Sequence, residues 1–180
     1  AALHGDLLGV EDLISQGTDP NAPDNHGCTA LSLAASHGHI ECIQFLAEHS
    51  ADVSLADHRG NAPLHHAAIH AHSDCISVLW EHGADINAIG DHGTTALGFA
   101  ADSGSVSCIR ALVEAGANIE MRDGNSNTAM HDAALHGHED CMLVLMELGA
   151  DVNSKGERGL SAVEMAAEAG VVITTGLSND

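Results

Sequence analysis

The sequence predicts an all-α repeat solenoid, in which pairs of short helices stack side by side and a hairpin loop joins each pair to the next. Three observations predict it. The first is a pattern that recurs every 33 residues without insertion or deletion: Pro63-Leu64-His65 maps onto Ala30-Leu31-Ser32, Ala96-Leu97-Gly98, Ala129-Met130-His131 and Ala162-Val163-Glu164. A fixed period of roughly 20 to 50 residues marks a stacked array, because each unit buries its apolar face only against its neighbours. The second is composition. Hydrophobic residues make up 44% of the chain but aromatics only 2%, so the core must be built from Ala, Leu, Val, Ile and Cys, which suit closely stacked helices. The third is that every unit holds two amphipathic stretches, each followed by a turn residue.

Residues 1 to 25 retain the tail of a first helix and a whole second one, with Leu7, Val10, Leu13 and Ile14 at helical spacing before the stop at Gly17. Ala1-Ala2-Leu3-His4-Gly5 aligns with Ala34-Ala35-Ser36-His37-Gly38, so the sequence starts inside a repeat and is expected to be a piece of a longer protein. Complete units then run over 26–58, 59–91, 92–124 and 125–157, and a degenerate one occupies 158–180, all within one domain. Residues 171–180 stand where a second helix belongs, and the Gly170-Val171-Val172-Ile173-Thr174-Thr175-Gly176 run leaves a capping helix there an open expectation.

Each unit opens on a polar tip such as Asp57-His58-Arg59-Gly60, whose residues tolerate φ > 0. Thr29, Thr95, Thr128 and Ser161 follow as N-caps of a first helix, and Ala62 is replaced in that role by Pro63 at the first helical position. That helix is about eight residues long and, too short to persist alone, must be held by stacking. The second helices are expected over Glu41–Glu48, Asp74–Glu81, Ser107–Glu114 and Glu139–Glu147, with Ile40, Ile43, Leu46 and their equivalents on the buried face.

The formal charge of −21, from 26 acidic and 5 basic residues, repels phosphate backbones and anionic lipid, so nucleic-acid and membrane-surface roles are disfavoured. Fifteen histidines soften that charge on mild acidification. No apolar run reaches the ~18 residues of a membrane span. Five cysteines at spacings that do not suggest pairing point to a reducing compartment, cytoplasm or nucleus.

The motif Gly-x-Ala-Pro-Leu-His-x-Ala-Ala at 60–68, with Gly83-Ala84-Asp85-Ile86-Asn87, resembles the ankyrin repeat, and the likeness covers essentially the whole chain. Membership implies a hairpin and two antiparallel helices per unit, stacked into a curved solenoid that binds protein partners through the hairpin tips and the inner helix face. It also implies that Asn21, Asn87 and Asn153 occupy a position at which some members look to be substrates of an asparaginyl hydroxylase. Departures from the pattern are Thr-Ala for Thr-Pro, Ala71-His72 and Gly104-Ser105 for Gly-His, and the irregular end.

Chemistry is not expected at the repeated positions. Cys42, Cys75, Cys108 and Cys141 stand 33 apart and read as small core hydrophobes, since helices packed about 8–10 Å apart hold such thiols too far for a disulfide. His37-Gly38-His39, His70-Ala71-His72 and His136-Gly137-His138 lack the supporting ligands of a zinc site, so no metal and no other cofactor is expected. His65 and His131 read as ties between hairpin and helix, not as catalytic bases, and no catalytic residue is assigned. Trp80 reads as a bulky occupant of the core edge.

The informative positions are those where the repeat stops repeating. Leu33, His66, Phe99, Asp132 and Met165 are equivalent, yet range from apolar to acidic, so this column is expected to face solvent and line a groove. The tip columns vary likewise: Asn25, His58 and Asp91, then His26, Arg59, His92 and Asn125, then Cys28, Asn61, Thr94 and Asn127. A strip along the end of the first helix adds His37, Ile69, His70, Asp102 and His136. The expected function is a non-enzymatic interaction module whose tips and concave face hold a protein segment of basic or mixed character, with Phe99 and Ile69 as anchors. The competing expectation is a structural or regulatory domain that packs against other parts of a larger channel, enzyme or adaptor.

Overall fold

In a computed structural model of the chain, which describes residues 1–168 and 170, the predicted pairs fold as two layers. First helices α2 (Ala30–Ser36), α4 (Pro63–Ile69), α6 (Ala96–Asp102), α8 (Ala129–Leu135) and α10 (Ala162–Glu168) stack on one another. Second helices α1 (Leu7–Ser15), α3 (Ile40–Glu48), α5 (Ser73–Glu81), α7 (Val106–Glu114) and α9 (Glu139–Glu147) form the other layer, each packed against its own first helix where that is present. A single 3-10 turn, Ala2–His4, precedes α1 and packs against α2. Three second helices begin one residue earlier than their sequence suggests, because His39, His72 and Ser105 already occupy the cap position. Position 171 onward, where a capping helix was an open expectation, lies outside the described residues.

The core is continuous along the stack. Leu31, Leu64, Leu97 and Met130 fill one column and Ile43, Ile76, Ile109 and Met142 the facing one, all essentially inaccessible. Between them the paired alanines Ala34-Ala35, Ala67-Ala68, Ala100-Ala101 and Ala133-Ala134 are fully buried, and their small side chains allow the first helices to approach closely. Cys42, Cys75, Cys108 and Cys141 lie buried in the second helices, and burial pushes the Cys75 and Cys141 thiols up to about 11. Trp80, by contrast, projects from the outer face of α5 and is 47% exposed; the core at that level is closed by Ile76 and Leu79. Among the described residues no helix is long and apolar enough to cross a membrane.

Helix starts follow the expected cap chemistry. Thr29 Oγ1 accepts from the Ser32 amide at 3.2 Å and Thr95 Oγ1 from the Gly98 amide at 3.3 Å. At Ala62, which has no hydroxyl, His65 Nδ1 accepts the Ala62 N–H at 3.0 Å. That bond places the proton of His65 on Nε2, which donates to the Ala88 carbonyl at 3.0 Å in the approach to the following tip. His131 repeats the arrangement, contacting Thr128 through Nδ1 and the Leu160 carbonyl through Nε2. Both rings are buried and held neutral chiefly by desolvation, which lowers their pKa.

Candidate functional site

The variable residues gather where each tip meets the next tip and the start of a first helix. Asp24 Oδ1 accepts from the His26 and Cys28 amides, Asp57 Oδ1 from Arg59 and Asn61, and Asp123 Oδ1 from Asn125 and Asn127, all at 2.8–2.9 Å. One carboxylate oxygen thus folds a whole tip, and the Asp side chain does here what a backbone carbonyl would do in a longer hairpin. The tips themselves form no strand among the described residues; only single bridges, Ile89 with Thr95 and Lys155 with Ser161, flank two of them.

Neighbouring tips are joined in alternation. The His58 amide donates to the His26 carbonyl at 3.0 Å and the Gly124 amide to the His92 carbonyl at 2.9 Å. At the other two junctions the acceptor is a side chain, Asn61 Oδ1 for the Asp91 amide at 3.0 Å and Asn127 Oδ1 for the Glu157 amide at 2.9 Å. There the incoming residue is Gly90 or Gly156, and a Cβ on either would stand 2.5 Å from the Asn oxygen and within 3 Å of the His65 or His131 ring. Asn61 is therefore largely a joint between tips, 5% exposed, and reaches the surface only where it lines a cleft.

The column expected to face solvent is also more enclosed than its variability suggests. Leu33, His66, Phe99 and Asp132 are half-buried and Met165 is buried, because the tip of the same unit folds over the start of its first helix. Phe99 meets the edge of His65 with ring centroids 5.9 Å apart. Ile69 and Asp91 are half-buried too, whereas Asn25, His26, His37, His58, Arg59, His70, His92, Asp102, Asn125 and His136 are exposed.

Two clefts result. One, of about 380 Å³, is lined by His26, Asp57, His58, Arg59, Asn61, His66, Ile69 and His70. It brings together tip residues at the junction of the first and second full units with the variable first-helix residues of the second. At its inner edge His66 Nε2 lies 3.1 Å from Asp57 Oδ2, and Cys28, which lines the apolar recess at the N-terminal end, contributes a third donor atom from behind them, the three lying within 4.8 Å of one another. The other is a narrow cleft that holds Thr94, Arg122, Asp123 and Asp132. Desolvation, with the Asp123 and Asp102 charges nearby, pushes the Asp132 carboxyl up to about 7. Arg122 does not neutralise it, since its guanidinium donates to the Ser126 and Lys155 carbonyls and to Ser154. His136 pairs with Asp102 at 2.9 Å on the open side of the strip.

Of the five basic residues, Arg110, Lys155 and Arg158 are paired with Glu147, Glu164 and Glu168, so most of the carboxylate excess is left uncompensated within the fold. Asn21 and Asn87, at the position the resemblance links to hydroxylation, use Oδ1 to accept the Asp52 and Asn118 amides of the following unit. They are latches between repeats. An apolar recess lined by Leu3, Val10, Leu13, Ile14 and Leu33 marks the N-terminal end of the stack.

A family model for ankyrin repeats matches residues 1–90 and 89–156. No curated protein matches the chain.

Proposed function

The chain belongs to the ankyrin-repeat family, and from that premise we propose that it holds a basic protein segment against the tips and first helices of its middle units. Ankyrin repeats are in general protein–protein interaction modules and typically not enzymes. The finer reading rests on one observation, the Asp132 carboxyl kept part-protonated near neutrality by burial and by Asp102 and Asp123. The cleft itself holds only about 10 Å³, so a Lys or Arg side chain would lie across its mouth and supply the countercharge the fold lacks, and Phe99, half-buried one unit away, offers the apolar contact beside it. The exposed tip residues His58, Arg59, His92 and Asn125 and the strip residues His70, Asp102 and His136 form the rim. The five thiols support a reducing compartment, cytoplasm or nucleus, as the setting.

The test is selection from a displayed peptide library containing basic and acidic sequences at equal frequency. Basic peptides should be enriched, and Phe99→Ala combined with Asp132→Asn should lower the affinity of the selected peptides by at least about tenfold, the effect of losing one anchor. Affinity should rise between pH 6 and pH 8 as the Asp132 carboxylate ionises. Equal enrichment of acidic and basic peptides, or unchanged affinity in the folded double variant, would overturn the reading.

A further inference from the structure

The junction between the first two tips holds a donor set that no other junction repeats. Three columns meet there: the residue that closes one tip, the residue that opens the next, and the residue one turn into the following helix. They read Cys28, Asp57 and His66 at this junction, Asn61, Gly90 and Phe99 at the next, Thr94, Asp123 and Asp132 at the third, and Asn127, Gly156 and Met165 at the fourth. Only the first supplies sulfur, carboxylate oxygen and imidazole nitrogen together, and these atoms lie within 4.8 Å of one another.

The donors are fixed by the surrounding fold. Asp57 uses Oδ1 to accept the Arg59 and Asn61 amides at 2.8 and 2.9 Å, which leaves Oδ2 directed at His66. Cys28 is held at both ends of its peptide unit by Asp24, whose Oδ1 accepts the Cys28 N–H and whose own N–H donates to the Cys28 carbonyl, each at 2.9 Å. These are the outer contacts that orient ligands in metal sites. His66 Nε2 is shut off from solvent and makes no hydrogen bond of good geometry, although Asp57 Oδ2 lies 3.1 Å away and its charge acts on the ring. Their separation approaches the edge of about 3.3 Å between ligands around a tetrahedral zinc ion with bonds near 2.0 Å. A cation between the two would give the orphaned nitrogen a partner.

We propose that Cys28 Sγ, Asp57 Oδ2 and His66 Nε2 bind a zinc ion that clamps the first full unit to the second, with the fourth position toward the cleft walled by His26, His58 and His70. Thiolate and imidazole donors select zinc over magnesium or calcium, which take oxygen ligands. On binding, the Cys28 S–H bond breaks, its proton passes to solvent, and the sulfur lone pair forms the Zn–S bond.

Titration of the 180-residue chain with Co²⁺, in a phosphine reductant, tests this directly. One equivalent should produce a thiolate-to-cobalt charge-transfer band and tetrahedral d–d bands, both removed by zinc. Cys28→Ser should abolish the charge-transfer band. His66→Ala, and Asp57→Asn, which keeps an oxygen for the Arg59 and Asn61 amides, should weaken cobalt binding by at least about tenfold. Zinc should raise the melting temperature of the parent chain and leave that of Cys28→Ser unchanged, each variant first shown helical by circular dichroism. No charge-transfer band, a band that survives Cys28→Ser, or equal affinity in His66→Ala would overturn the proposal. Cobalt held only by the stacked pairs His37–His39 and His136–His138 would lack the sulfur band and would also overturn it.

Discussion

Replacing Asp132 with Asn should stabilise the protein at neutral and alkaline pH and have little effect in acid. The carboxyl of Asp132 is raised from 3.8 to about 7 by desolvation first, then by Asp123 and Asp102. A raised folded-state value means that the folded protein binds the proton more tightly than the unfolded chain. The penalty is therefore absent below pH 3.8, grows as pH rises through the interval, and is complete above about 7. At roughly 1.4 kcal/mol per pH unit that interval corresponds to about 4 kcal/mol, and water access to a half-buried carboxylate reduces it to about 2 kcal/mol. The Asn side chain has the same shape and no charge, so the difference between variant and parent isolates the ionisation. Urea denaturation of both proteins at pH 4, 6 and 8, followed by circular dichroism, should show the variant's advantage opening from near zero to about 2 kcal/mol. A difference that is constant across the three pH values would refute the reasoning, because a packing or hydrogen-bond effect of Asn has no reason to follow proton uptake.

Other expectations concern the contacts between units. Gly38 has φ +73 and a Cβ there would stand 2.7 Å from the His72 ring, so Gly38→Ala should destabilise by about 1–3 kcal/mol, and His72→Ser in the same chain should restore part of the loss; strictly additive effects in thermal melts would count against the contact. Ala71 already stands at φ +61, and Ala71→Gly should be neutral or stabilising by a few tenths of a kcal/mol, since strain relief and added chain entropy nearly offset. Asn61→Ala leaves the Asp91 amide without its acceptor, and a loss of about 1–3 kcal/mol is expected in denaturant titrations. Ile109→Ala, at a fully buried position in α7, should lower stability by about 2–5 kcal/mol and show that the middle of the stack unfolds with its neighbours.

The departures noted in the sequence turn out to be linked. Gly5, Gly38 and Gly104 each lie against the ring of the histidine one unit on, His39, His72 and His138. Ala71 is followed at the corresponding place by Ser105, which has no ring to exclude a methyl group. Two apparent irregularities, Ala71 and Ser105, are thus one contact written in two repeats. The same holds for Asn61 with Gly90 and Asn127 with Gly156: a 66-residue spacing was present in the sequence, and its meaning depends on a bond that crosses from one tip to the next.

By itself the sequence determined the architecture, because the period, the buried alanine pairs, the capping threonines and the leucine and isoleucine columns are local patterns copied from unit to unit. It also marked His58, Arg59, Asn61, His66, Ile69 and His70 as residues that break the pattern, and these do line one cleft. Tertiary structure decided which variable positions are surface and which are joints. Variability within a column does not distinguish the two, since a side chain that bonds its neighbour changes along the stack as freely as one that faces water. Asn61 could be placed inside, and Trp80 outside, only when adjacent units were docked. The meeting of Cys28 with Asp57 and His66 has the same origin: the three are separated by 29 and 9 residues along the chain, a spacing with no chemical meaning until the stack places one tip beside the next.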